Sequence, residues 1–190
     1  QTADQYGNVT VPGLHEGGWY DIFLQGNLDG FAGYQHQGGP GAAGAQKLII
    51  GPWTHGGMYG TAQGELTYPA NAATPPYPTA FETLFNHYLE VDVPQITDTP
   101  EDVPTVQYYV MGDVDDPSAP GNVWRVADDW PPPAAPVRLH LQPDGSLLEG
   151  CPPPDGGLSA YVFDPADPSP TLCGANLNIP AGSCDQRPIE

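Results

Sequence analysis

The chain of 190 residues carries 23 acidic side chains against 4 basic ones, which gives a formal net charge of −19. So few cations exclude binding to nucleic acid and attachment to anionic membranes, because both require clustered lysine and arginine. Apolar residues make up 39% of the chain, enough for a packed core, and no apolar run approaches the ~20 residues of a membrane-spanning helix.

The first half of the sequence alternates between strand and helix patterns. The run VTVPGL (9–14) leads into a glycine-rich turn, and QKLIIG (46–51) is apolar enough for a strand buried on both faces. Between them, YDIFLQGNLDGFAGY predicts a short helix. The segment YPTAFETLFNHYLE predicts a helix packed on a sheet, because its apolar residues follow the i, i+3, i+4, i+7, i+8 spacing. These residues are Phe81, Leu84, Phe85, Tyr88 and Leu89. The alternation predicts an α/β domain over residues 1–92.

Beyond residue 92 the pattern changes to short alternating runs separated by turn residues. A proline-spaced acidic connector, VDVPQITDTPEDVP, is followed by TVQYYVMG, VWRVADDW, PVRLHLQPDGSL and LSAYVFDP. In VRLHL the apolar residues Val137, Leu139 and Leu141 share one face of a strand. Several strands at roughly ten-residue spacing are typical of a β-sandwich. Residues 93–190 are therefore predicted to form a second, all-β domain.

Two polar residues follow predicted strands directly, Asp21 in GGWYDIF and His55 in GPWTHGG. An open α/β sheet places its reactive residues at the carboxyl ends of its strands. In α/β-hydrolases the catalytic order is serine, then acid, then histidine, and Asp21 followed by His55 matches the last two members. Taken singly, an aspartate here also suits a turn and a histidine here also suits a solvated loop. The order of the pair favours catalysis.

The segments VPGLHEGGWYDIF and KLIIGPWTHGG resemble two motifs of the cocaine-esterase and X-prolyl dipeptidyl aminopeptidase family of serine hydrolases. That resemblance implies that Asp21 is the triad acid and His55 the base. Further stretches, among them YYVMGD, NVWRVADDWPPP and LHLQPDGSL, resemble the family's carboxy-terminal jelly-roll domain. The implied fold is α/β plus all-β: the carboxy-terminal part of an α/β-hydrolase domain followed by a jelly-roll β-sandwich.

A nucleophile is missing from this pattern. None of the five serines lies in a G-x-S-x-G elbow, and all of them follow His55. The serines are Ser118, Ser146, Ser159, Ser169 and Ser183. The chain is therefore expected to be part of a longer hydrolase whose amino-terminal part supplies the serine and the oxyanion-binding groups. The expected substrates are small esters, amides or peptides, and an assembly of identical chains is left open.

Aromatic residues flank both catalytic candidates. The resemblance implies that Phe23 lines the acyl pocket, although a core position under the acid loop is an equal alternative. Trp19 and Trp53 each precede a candidate by two positions, and packing roles are favoured for both because large aromatic side chains can hold a loop rigid.

Three cysteines are present, without the paired C-x-x-C spacing of a zinc site. Cys173 and Cys184 bracket a short loop that a disulfide could close, the alternative being two buried thiols. A disulfide would indicate an oxidising compartment and hence an extracellular or periplasmic protein. The acidic turn GDVDDPSAPGN lacks the glycine and terminal glutamate of an EF-hand, so a solvated turn is favoured over a metal site. No cofactor is expected.

A second hypothesis is that the β-sandwich is the functional unit, as a carbohydrate-binding or protein-binding module. Jelly-rolls serve many such roles, and the fold alone does not decide between them. Retention of ligand binding by residues 100–190 alone would favour this alternative.

Overall fold

The computed structural model describes residues 3–90, 95–151, 160 and 162–189. These residues form two compact units, Gln1–Trp130 together with Thr171–Glu190, and Pro131–Pro170. The helices and strands are β1 (Gly13–Tyr20), α1 (Leu24–Gln37), β2 (Gln46–Thr54), β3 (Ala62–Gln63), β4 (Leu66–Thr67), α2 (Ala80–Tyr88), β5 (Val106–Val110), β6 (Val123–Ala127), β7 (His140–Leu141) and β8 (Leu147–Leu148). No helix among the described residues is both long and apolar enough to cross a membrane.

A mixed four-stranded sheet in the order β1-β2-β5-β6 forms the centre of the first unit. The strands β1 and β2 run parallel, from Gly13 opposite Gln46 to Tyr20 opposite Thr54. Both strands therefore end at the same edge of the sheet, and the next residue of each is a catalytic candidate. This arrangement agrees with the α/β pattern read from the first half of the sequence.

Alternate residues of β2 pack on opposite faces of the sheet. Leu48 and Ile50 form one core cluster with Phe31 of α1. Ile49 and Trp53 form another cluster with Ala80 of α2. Because both faces of β2 are covered, the strand is apolar almost throughout, as expected for a buried parallel strand.

A β-bulge distorts the ends of β1 and β2 just before the candidate site. After the pair Gly18–Gly51, β2 places both Pro52 and Trp53 opposite the single residue Trp19. Pro52 lacks an N–H group and suits such an irregularity. A Cβ atom on Gly18 would overlap the backbone carbonyl of Trp53, so glycine is required for this close approach. The bulge explains why Gly18 precedes the aspartate and Pro52 precedes the histidine.

The two strands β5 and β6 do not begin a separate sandwich. β5 pairs parallel to β2, with Leu48 opposite Val106, and β6 pairs antiparallel to β5. TVQYYVMG and VWRVADDW thus extend the sheet of the first region, which crosses the boundary predicted at residues 92 and 93. The parallel hydrogen bonds with β2 decide this placement, and alternation within each run cannot reveal them.

The unit Pro131–Pro170 contains one short antiparallel pair among its described residues. His140 lies opposite Leu148 and Leu141 opposite Leu147 in this hairpin, which overlaps the predicted run PVRLHLQPDGSL. The strand predicted over VRLHL is shorter than expected, because Val137 and Leu139 lie outside it. Part of the run LSAYVFDP lies outside the described residues. The jelly-roll therefore stays a prediction.

The apolar stripe of α2 is only partly buried. Leu84 is buried, whereas Phe81, Phe85, Tyr88 and Leu89 are exposed. All five line a groove of about 480 Å³ together with residues 11–14 at the start of β1. β1 is an edge of the described sheet, so these side chains have no further strand on which to pack.

A disulfide joins Cys173 to Cys184, with a Cα–Cα distance of 5.8 Å. The loop that it closes pairs with the β3–β4 turn, because Ser183 O accepts the N–H of Glu65 at 2.7 Å and Asp185 N–H donates to the Glu65 carboxylate at 2.8 Å. The third cysteine, Cys151, is exposed and unpaired.

We expect the double substitution Cys173→Ser with Cys184→Ser to lower the free energy of unfolding by about 3 kcal/mol, because the cross-link restricts the unfolded chain. Urea denaturation under oxidising conditions measures the change. The matched control is Cys151→Ser, which should alter the free energy by less than about 0.5 kcal/mol. Equal urea midpoints for the double variant and the unsubstituted protein would contradict the stabilising role of this bond.

Candidate active site

Asp21 lies in the turn that connects β1 to α1, and its side chain is almost completely buried. The residue is 4% exposed. Its backbone N–H donates to Gly18 O at 3.0 Å, and its carbonyl accepts from Leu24 N–H at 3.1 Å. One carboxylate oxygen, Oδ1, also accepts the N–H of Phe23 at 2.9 Å. The turn therefore holds the carboxylate in one orientation.

His55 begins the short 3-10 turn His55–Gly57 that follows β2. Its Nδ1 lies 3.1 Å from Oδ2 and 3.2 Å from Oδ1 of Asp21. The side chain is 45% exposed, against 3% for that of Asp21. In the tautomer in which Nδ1–H donates to the carboxylate, Nε2 carries a free lone pair. Among the described residues, only Asp21 hydrogen-bonds to the imidazole, so Nε2 is available to a proton donor.

Phe23 lies beside this pair on the solvent side. Its ring centroid is 5.1 Å from that of the His55 imidazole, in an edge-to-face arrangement. The side chain is more than half exposed, so it does not occupy the core position under the acid loop that the sequence left open.

Trp19 and Trp53, near the ends of β1 and β2, pack against the core. Trp53 is fully buried, and its Nε1–H donates to Ala72 O at 3.1 Å. Trp19 packs against the core cluster on the α1 side, and its Nε1–H donates to Tyr109 O at 2.6 Å. Both side chains have the packing role that the sequence favoured, and each adds a hydrogen bond to a distant backbone carbonyl.

Tyr59 is a residue of this region that sequence reasoning missed. Its backbone lies in the left-handed region, with φ of 60°. The ring packs on Trp53 with a centroid distance of 4.6 Å, and the hydroxyl donates to the Glu16 carboxylate. Burial and this acidic partner raise the pKa of the Tyr59 phenol, so the hydroxyl stays a donor at neutral pH. The only hint in the sequence is the run of glycines around it.

The other candidate groups do not join the pair. His15 packs against Phe31 and Tyr34, with Nε2 3.1 Å from the Gln46 side-chain oxygen, and burial lowers its pKa. Among the described residues, no serine hydroxyl bonds to His55, and no three metal-ligating side chains converge.

The chain that carries this arrangement is similar in sequence to several known proteins. The profile of the X-Pro dipeptidyl-peptidase (S15) family matches residues 1–57, the part that carries Asp21 and His55. Cocaine esterase from Rhodococcus sp. is 31% identical over 204 residues, which cover 98% of this chain and 31% of that protein. Two provisionally named serine esterases, from Mycobacterium bovis and Mycobacterium tuberculosis, are each 28% identical over 117 residues, which cover 62% of this chain and 16% of theirs. The chain thus spans less than a third of the length of these relatives.

The Asp21–His55 contact leads to a prediction that needs no substrate. A hydrogen-bonded Nδ1–H should give a downfield proton resonance in NMR, and Asp21→Asn should remove it because an amide is a far weaker acceptor than a carboxylate. The matched control is Asp29→Asn, since Asp29 is exposed on α1 and its carboxylate accepts from the Gln25 side chain, far from the imidazole in the network of described hydrogen bonds. A resonance that survives Asp21→Asn but is lost with Asp29→Asn would contradict the contact.

Proposed function

We propose, since this chain belongs to the X-Pro dipeptidyl-peptidase (S15) family of serine hydrolases, that Asp21 and His55 are the acid and base of its catalytic triad. The observation that carries the proposal is the contact between a buried carboxylate and a half-exposed imidazole at the ends of two adjacent parallel strands. The order of the two residues along the chain, acid before histidine, is that of α/β-hydrolases. Their contact supports the roles of orienting carboxylate and base.

The proposed reaction is acyl transfer from an ester or amide. Nε2 of His55 takes the proton of a serine hydroxyl as the serine oxygen attacks the substrate carbonyl, and returns that proton to the leaving group. Asp21 holds the imidazole in the required tautomer and stabilises its protonated form. Water then attacks the acyl-enzyme with His55 again as the base, which frees the acid product and restores the serine.

The serine and the oxyanion-binding groups are proposed to come from a preceding part of the same polypeptide. Two observations support this. None of the serines lies in a nucleophile elbow, and cocaine esterase, to which nearly the whole chain aligns, is more than three times longer than the aligned region. The free edge of β1 and the apolar groove beside it would suit such a neighbouring segment.

The finer features of the intact protein are proposed on the same basis. The region after Trp130 is proposed to contribute to a jelly-roll domain, on the family resemblance. Phe23 is proposed to line the acyl pocket, because its exposed ring lies against His55. The substrates are proposed to be small esters, amides or peptides. The disulfide supports an extracellular or periplasmic location.

In the complete native polypeptide, His55→Ala should lower kcat on p-nitrophenyl butyrate by about 10⁴-fold or more, because the serine loses its base. Circular dichroism should show an unchanged fold, since His55 contributes little to the core. The control is His140→Ala, a histidine of the β7–β8 hairpin, which should keep full activity. An active His55→Ala protein would exclude His55 as the base.

The polypeptide of residues 1–190 alone should not react with a fluorophosphonate probe, because the proposed nucleophile lies elsewhere. The complete polypeptide should be labelled at a single serine, identified by mass spectrometry of its peptides. Labelling of Ser118, Ser146, Ser159, Ser169 or Ser183 would contradict the assignment. A ligand retained by residues 100–190, with no labelling of the complete polypeptide, would favour the binding-module alternative.

A further inference from the structure

We infer that Gln63, in the strand β3, is a positioning residue for His55: its side-chain amide fixes the turn that carries the histidine. The inference rests on the proposed role of His55 as the catalytic base. Gln63 does not touch the imidazole, and its effect would pass entirely through the backbone of residues 54–60.

The Gln63 side chain is 1% exposed and makes three hydrogen bonds to one turn. Its Oε1 accepts the N–H of Thr54, the residue before His55, at 2.8 Å. Its Nε2 donates to Gly57 O at 2.8 Å and to Gly60 O at 2.9 Å. The amide therefore bonds to the backbone on both sides of the histidine.

Only a glutamine satisfies these partners. A carboxamide combines an acceptor with two donors, and all of these functions are used here. Glutamate could accept from Thr54, but it would place a carboxylate against two carbonyl oxygens. Methionine has a similar length, but it would leave the part-buried Thr54 N–H and Gly60 carbonyl without these hydrogen bonds.

The turn needs such a constraint because its own sequence supplies little rigidity. Three of its residues are glycines, at positions 56, 57 and 60, and glycine has the largest backbone freedom. The imidazole is half exposed, and among the described residues it hydrogen-bonds to Asp21 and packs against the ring of Phe23. A Cβ atom on Gly57 would lie 2.7 Å from Gln63 Oε1, so the glycine and the amide fit each other.

The backbone of Gln63 is itself held by a distant part of the chain. Ser183 N–H donates to Gln63 O at 3.3 Å, and Gly64 forms a parallel bridge with Ser183. Ser183 lies next to Cys184, within the segment anchored by the disulfide to Cys173. The backbone at Gln63 is thus held by contacts outside the turn to which its side chain bonds.

The test compares Gln63→Met with Gln46→Met in the complete native polypeptide. Gln46 is an equally buried glutamine of β2, whose Nε2 donates to Ala42 O at 2.8 Å and to Val11 O at 3.3 Å, at the far end of the strand from His55. Both variants lose a buried amide, and only one loses it at the histidine turn. The measurements are urea denaturation, kcat and KM on p-nitrophenyl butyrate, and the His55 Nδ1–H proton resonance.

Gln63→Met should lower kcat by about 10-fold to 100-fold with KM within about threefold, because a small displacement of a catalytic base has effects of this size. The Nδ1–H resonance should shift or broaden. Gln46→Met should lose comparable stability while keeping kcat and the resonance. Equal kcat values for the two variants would overturn the inference, as would an unchanged resonance in Gln63→Met.

Two further variants keep the test decisive. If Gln63→Met does not fold, Gln63→Glu keeps the acceptor for Thr54 N–H but sets a carboxylate against the carbonyls of Gly57 and Gly60, and the same loss of kcat is expected. An unaffected kcat in Gln63→Glu would then overturn the inference. His55→Ala separates the two proposals. If it is inactive while Gln63→Met is fully active, only the positioning role fails, whereas an active His55→Ala protein removes the proposed function and this inference together.

Discussion

The candidate site depends on the parallel pairing of β1 and β2. Parallel neighbours end at the same edge of a sheet, so the residues that follow them, Asp21 and His55, meet although 34 positions separate them. Burying a carboxylate is costly unless hydrogen bonds replace its lost hydration. The Phe23 N–H and the His55 imidazole supply such bonds. The turn of the aspartate and the turn of the histidine therefore support each other.

The second half of the chain takes part in holding this edge. Trp19 bonds to the carbonyl of Tyr109 on β5, and Trp53 bonds to that of Ala72 in the segment before α2. Trp124 on β6 donates to Asn71 O at 2.8 Å, so the same short segment contacts two strands. β5 and β6 therefore support the edge that carries the candidate site, although neither Asp21 nor His55 lies on them.

The sequence predicted features that local patterns determine. The apolar run at residues 46–51 is part of β2, and the helical spacing after residue 77 is α2. The meeting of Asp21 and His55 followed from their order and from the ends of neighbouring strands. The short helix expected after Tyr20 is the 14-residue α1, because glycines that weaken a helix in isolation are tolerated when Phe31 is packed in the core.

Features that depend on distant contacts were not predictable. Alternation in TVQYYVMG indicates a strand without identifying its partner, and the proline-rich connector before it resembles a linker between domains. The apolar stripe of α2 indicated a packed face. The burial of such a stripe depends on the neighbouring strands, and β1 is an edge strand of the described sheet. Within the run PVRLHLQPDGSL the strand is shorter than the alternation predicted, and its antiparallel pairing with Leu147–Leu148 was not predicted.

Gln63 belongs to the same class of long-range features, and it shows why such a residue is hidden in a sequence. A glutamine near a glycine-rich turn resembles an ordinary surface residue until the chain folds and Ser183 pairs beside it. Two segments far apart in sequence, residues 63–65 and the disulfide loop, then converge beside the end of β2. The turn is rich in glycine, and its hydrogen bonds to Gln63 supply constraints that its own sequence does not. The disulfide therefore contributes to the order of the candidate site as well as to stability, because it constrains the loop against which Gln63 is fixed.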